Sequence, residues 1–225
     1  GSKYFDLGGI SVSHNDKLMA YSVDLKGSEY YDIFVRDLST NKLIEKKIIN
    51  TSGNITWSLD SKSFFYTPLD KFHRSKKIYK HVLGENSKKD QLIFEEKNDS
   101  FSVGISLSAD EKFFIISTSD SNTTEEYFFS SKDKKIKPKL FKSRRKGIRY
   151  SLDSWKNYWY IHTNKDAPDY QILRCKHNDI KKLHKFIPAK KETIIGGFEF
   201  LDKYILRSEK SDAIPKILIR NIETN

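Results

Sequence analysis

The chain has 225 residues, 37% of them apolar and 13% aromatic, enough to bury one sizeable core. It carries 41 Lys and Arg against 30 Asp and Glu, a formal charge of +11, and a single cysteine, Cys175, which excludes a disulfide framework and makes a reducing, cytoplasmic compartment the expectation. No run approaches the roughly 18 apolar residues of a membrane-spanning helix, nothing at the start reads as a signal peptide, and Gly1-Ser2 reads as the scar of a removed tag, so no membrane partner is expected.

From residue 8 onward one unit repeats. Residues 9–13 alternate, His14-Asn15-Asp16 turns, residues 17–24 form a second strand, 31–38 a third and, after the turn Ser39-Thr40-Asn41, 42–49 a fourth. The second copy runs 54–58, 62–67, 76–83 and 91–95; the third 101–107, 112–118, 125–130 and 136–142; the fourth 148–152, 157–163, 170–175 and 182–187. A fifth begins with 193–198, 203–208 and 216–221 and lacks a fourth strand. An aspartate closes the second strand of each copy, and Asp24, Asp70, Asp120, Asp166 and Asp212 recur at intervals of 46, 50, 46 and 46 residues.

A period of 40 to 50 residues with four strands per unit specifies a β-propeller blade. The expected fold is therefore all-β: one partial propeller over 3–225, with blades at about 8–50, 54–97, 101–143, 147–188 and 193–225. Because a blade buries its faces only against its neighbours, the chain reads as an open piece of a larger ring. Its first and last blades are then expected to expose apolar residues such as Leu18, Ala20, Ile33, Phe34, Ile205, Ile217 and Ile219 and to self-associate through them.

The basic excess consists of 33 Lys and 8 Arg. Arginine makes the bidentate contacts of nucleic-acid recognition, so a lysine-dominated excess fits a solvated surface better. The first segments of the five copies (9–13, 54–58, 101–107, 148–152, 193–198), which line the channel of a propeller, hold one charged residue, Arg149. The outer segments are loaded instead, with Lys42, Lys46 and Lys47, with Lys134, Lys135, Lys137, Lys139 and Lys142, and with Lys181, Lys182, Lys185, Lys190 and Lys191. Charge on an outermost strand protects a sheet edge. The densest basic stretch, 132–149 with Arg144-Arg145-Lys146, carries the alternative reading of a free-standing propeller that binds a protein or nucleic acid through its rim.

No residue emerges as catalytic, cofactor-binding or metal-binding. Gly9-Ile10-Ser11-Val12-Ser13 and Gly104-Ile105-Ser106-Leu107-Ser108 approach a nucleophile elbow but lack its second glycine and the helix that follows it. Cys175, His177 and His184 have no metal-ligand spacing, and the histidines are expected on the surface of an outer strand. Gly196-Gly197 lacks the loop and helix of a phosphate cradle. The five periodic aspartates are expected to cap turns by accepting backbone N–H groups.

The run 9–24, with Gly27, Glu29, Tyr31 and Val35-Arg36-Asp37-Leu38, resembles the first blade of the prolyl oligopeptidase family. The resemblance continues through Asn50-Thr51-Ser52-Gly53, Trp57, Phe65-Tyr66-Thr67, Leu69-Asp70 and residues 79–84. It extends to Phe94-Glu95-Glu96, Asp99, Phe101, Val103-Gly104, Thr163-Asn164 and Gly197-Phe198-Glu199. The short connection from Asp70 to Ile78 is similar to the oligopeptidase B branch, while Lys71 and Ser75 depart from its pattern. The resemblance implies a seven-bladed propeller inserted ahead of an α/β-hydrolase domain that holds the Ser, Asp and His of a catalytic triad. It implies a serine endopeptidase that cuts short peptides after Lys or Arg, with the propeller admitting only oligopeptides. This chain would then be blades one to four and most of five, non-catalytic by itself and without a cofactor.

Overall fold

A computed structural model describes residues 4–44 and 47–224. Gly1, Ser2 and Lys46, singled out in the sequence, lie outside the described residues. The regular elements there are eighteen strands and one 3-10 turn, Ser87–Lys89. The strands fall into five groups in chain order. The first three are β1 (Asp6–Val12), β2 (Leu18–Asp24) and β3 (Tyr31–Asp37), followed by β4 (Ile48–Trp57), β5 (Ser63–Pro68), β6 (Lys77–Val82) and β7 (Gln91–Glu95). Next come β8 (Ser102–Leu107), β9 (Phe113–Ser119), β10 (Thr124–Ser130) and β11 (Lys139–Lys142), then β12 (Tyr150–Trp155), β13 (Tyr158–Thr163), β14 (Gln171–Lys176) and β15 (His184–Ile187). β16 (Thr193–Leu201), β17 (Tyr204–Ser211) and β18 (Ile214–Asn221) close the chain. β1–β7 form one seven-stranded sheet in chain order, and sheets of four, four and three strands follow.

The one departure from a separate sheet per repeat lies at β4. The sequence reads a fourth strand at 42–49 and a new blade from 54, yet β4 is continuous. Its first half pairs with β3 (Ile33↔Ile48, Tyr31↔Thr51) and its second half with β5 (Ile55↔Tyr66, Trp57↔Phe64). Gly53, at φ +86, lets the chain change partner without a break, and its carbonyl accepts from Ser22 Oγ at 2.9 Å. Of 42–44, Leu43 makes only an isolated bridge to Arg36.

The chain divides into two compact units. One holds residues up to 106 with 118–120 and 129–138, the other 107–117, 121–128 and residues from 139 onward. In the first unit, alternation sends Ala20, Ile33, Val35 and Ile48 to one apolar cluster with Trp57, Phe64 and Tyr66. This corrects the expectation that Ala20 and Ile33 lie bare on the first blade, because they face the neighbouring strands, and the same correction applies to Ile205 on β17, which is fully buried in an apolar cluster; on β18, Ile217 and Ile219 are exposed as expected, at 76% and 66%. In the second unit β13 is buried on both faces. Trp159 and Ile161 enter a cluster with Ile115, Phe141, Tyr150, Leu152 and Cys175, while Tyr160 enters another with Ile172, Phe186, Ile195, Phe200 and Ile205.

A recurring turn starts the first three repeats. Ser13, Ser58 and Ser108 are buried, and each hydroxyl donates to an acceptor two residues on, Asn15 at 2.8 Å, Asp60 at 2.6 Å and Asp110 at 3.0 Å. Each also accepts from a backbone N–H five residues on, of Leu18, Ser63 and Phe113. The third residue after each serine, Asp16, Ser61 or Glu111, takes positive φ. The turn thereby satisfies its own polar groups and fixes the first strand against the second.

Candidate functional site

The periodic aspartates act in two ways. Asp24 accepts from the N–H groups of Lys26 at 2.8 Å, Ser28 at 2.5 Å and Glu29 at 2.7 Å. Burial pushes its carboxyl up, but these N–H groups outweigh it and hold the carboxyl below the ordinary range. Asp70 likewise caps Phe72 and Arg74 and pairs with the Arg74 guanidinium at 3.0 Å. Asp166 and Asp212 instead stand at φ 54 and 51. There the aspartate supplies a residue type that tolerates the left-handed turn, which corrects the single capping role expected of all five.

The near-miss serines Ser11 and Ser106 lie on β1 and β8, the first strands of their groups. The described Ser, His and Asp side chains that do meet are Ser154, His177 and Asp110, all in the second unit. Ser154 Oγ lies 3.0 Å from Asp110 Oδ2 and 2.9 Å from His177 Nε2. The serine hydroxyl has one proton and contacts the carboxylate and the imidazole directly, while the imidazole's further hydrogen bond goes to the Tyr158 backbone and not to a carboxylate that would orient it as a base. Ser154 is also fully buried, at 0% exposure. A nucleophile needs the imidazole between serine and carboxylate and an open approach. Here the serine stands in the middle, closed off, and the cluster is a polar tie between turns.

His177 is therefore not the surface residue the sequence suggests. It is half-buried, its ring 5.0 Å from those of Phe113 and Trp159, and burial pulls its pKa down. Cys175 faces the core, where burial pushes its thiol up to about 11, and only His184 is exposed. No group of three or more His, Cys, Asp or Glu suited to a metal ion occurs among the described residues. Gly196 and Gly197 lie in β16 at a register shift; a Cβ on Gly196 would collide with Ser208 Oγ, so that glycine serves strand packing. Local spacing gave no sign of the Ser154 cluster, whose members stand 44 and 23 residues from Ser154.

Charge separates as the sequence suggests, and more sharply. The first strands β1, β8, β12 and β16, with the second half of β4, contain no Lys or Arg, since Arg149 stands just before β12. They carry Asp6, Asp153 and Glu199. Burial raises the Asp153 carboxyl, and Asp6 accepts from Tyr31 OH at 2.6 Å. The outer lysines within the described residues are exposed. In the basic stretch 132–149, Arg144 is engaged by Glu125, with Nη2 2.7 Å and Nε 3.0 Å from Oε2.

The model of the family described as prolyl oligopeptidase, N-terminal beta-propeller domain, matches residues 1–225. The chain belongs to this family. The propeller is 32% identical over 197 residues to Protease 2 of Moraxella lacunata, covering 86% of the chain and 28% of that protein. It is 28% identical over 223 residues to dipeptidyl aminopeptidase BI of Pseudoxanthomonas mexicana, covering 97% and 31%. Among solved structures it superposes on oligopeptidase B of Leishmania major with a TM-score of 0.94 at 22% identity, covering all of the chain and 32% of the other. On oligopeptidase B of Trypanosoma brucei, in a closed form with covalently bound antipain, the TM-score is 0.90 at 25% identity, covering 99% and 32%. The propeller thus spans about a third of the length of these relatives, and the all-β propeller fold and the serine peptidase family expected from the repeats and their motifs both hold.

Proposed function

We propose that this chain is the non-catalytic, substrate-filtering propeller of a cytoplasmic serine oligopeptidase resembling oligopeptidase B, joined to an α/β-hydrolase domain that holds the triad and cuts short peptides after Lys or Arg. The observation that carries this reading is the match of all 225 residues to the propeller of peptidases. Two features of the residues support it. The one Ser, His and Asp cluster described is arranged for structure, so the nucleophile must come from elsewhere. The first strands contain no Lys or Arg, and strands without cations do not repel cationic peptides as a basic lining would. The alternative, a rim that binds nucleic acid, is weakened at its densest point by the pairing of Arg144 with Glu125.

The size filter is tested on the intact peptidase that contains this propeller. A decapeptide with one central Arg is expected to be cleaved, while the same ten residues placed in a rigid loop of a folded protein stay intact. Cleavage of both at similar kcat/KM would overturn the filter, and failure to cleave the peptide would overturn the assignment of the parent enzyme.

A further inference from the structure

The second unit contains a cavity of about 280 Å³ bounded by β11, the 143–148 connection, β13 and β14. That volume is near the lower end of the roughly 300–1,000 Å³ typical of small-molecule sites. Its floor is apolar, built from Phe141, Ile148, Ile161, Leu173 and Leu183. Its polar edge carries Lys142, Arg145, Lys165 and Lys185, against one carboxylate, Asp166.

Among the described residues, three of the four cations have no carboxylate partner. Asp166 lies 3.6 Å from Lys165, and no carboxylate pairs with Lys142, Arg145 or Lys185 among the described residues. Burial, with Lys165 and Arg145 nearby, pulls the pKa of Lys142 down, as expected where like charges gather beside an apolar wall. Other basic side chains of the second unit are held by carboxylates, as Arg144 is by Glu125 and Lys190 and Arg207 are by Glu209. Purely ionic ligands gain nothing from the apolar floor, and neutral apolar ones gain nothing from the cations. A carboxylate on a short alkyl chain uses both, seating its tail on the floor and its head among the cations.

We propose that this cavity binds a medium-chain alkyl carboxylate. The test is calorimetric titration of the 225-residue chain with octanoate, 1-octanol and octylammonium, together with methyl NMR of Ile and Leu. Octanoate is expected to bind, to shift the methyls of Ile148, Ile161, Leu173 and Leu183 selectively, and to bind more tightly than the other two. The double variant K142Q/R145Q, which alters two exposed side chains, should weaken octanoate about tenfold, and L173W should block it. Octanol binding as tightly as octanoate, no octanoate binding at all, or methyl shifts outside this set would each overturn the proposal. Should L173W misfold by circular dichroism, K142Q/R145Q decides alone, and unchanged octanoate affinity in it would overturn the proposal.

Discussion

Replacing Trp159 by alanine is expected to destabilise the chain by about 3–5 kcal/mol, the range for deleting a large aromatic side chain from a packed core. Trp159 is fully buried at 0% exposure, and its ring lies 4.5 Å from Phe113, 4.9 Å from Phe128 and 5.7 Å from Phe141. Those rings come from β9, its neighbour β10, and β11, so the indole ties a cluster rather than fills a corner. The hole left by alanine has rigid walls that collapse poorly. Its Nε1–H has no hydrogen-bond partner, so W159F, which removes that unpaired donor with a smaller volume loss, should cost clearly less than W159A. Urea denaturation of both variants measures the difference. Equal destabilisation would contradict this account, because Phe both keeps more of the buried volume and removes the unpaired donor.

The second large effect depends on pH. Glu126 on β10 is buried at 2% exposure; burial pushes its carboxyl up to about 8, and the Ser117 hydroxyl, 3.0 Å from Oε1, only partly opposes this. Its Oε2 has no partner. The folded state therefore holds a proton that the unfolded chain releases in the usual glutamate range. The resulting stability is fully present below that range and is lost as pH rises through about 8. His162 and His177 act in the opposite sense. Their pKa values are lowered by burial, so their contribution is present above the ordinary histidine value and lost as pH falls below it. Between pH 7 and 9 the slope accordingly belongs to Glu126. Denaturation midpoints of the wild-type chain should fall across that interval by an amount on the order of 1–3 kcal/mol, and E126Q should flatten the fall. A wild-type stability that is level from pH 7 to 9 would contradict the buried, protonated carboxyl.

Much of this architecture was legible because a propeller writes itself into the chain as period. Strand alternation and turn residues placed seventeen of the eighteen strands within a few residues of where they lie. β4 escaped because continuity across Gly53 depends on backbone pairing with two different partners, which period-2 patterning does not encode. The buried Ala20 and Ile33 escaped for a related reason. Alternation says that one face is apolar, but only packing says which neighbour covers it. The site chemistry was legible chiefly by elimination, since the near-miss serines fall at equivalent positions of the repeat. The contact of His177, just after β14, with Ser154 on β12 is made across the intervening β13, and sequence separation conceals it. Glu126 drew no attention in the sequence, because period and turn spacing do not show which side chains a neighbouring segment covers.

The central claim is that this propeller carries no nucleophile of its own. The direct measurement exposes the purified 225-residue chain to a fluorogenic peptide ending in Arg or Lys and to a serine-reactive phosphonate, then maps any adduct by mass spectrometry. No turnover and no stoichiometric labelling are expected. Turnover, or labelling at a defined serine such as Ser11, Ser106 or Ser154, would contradict the account and place a catalytic centre within the propeller itself.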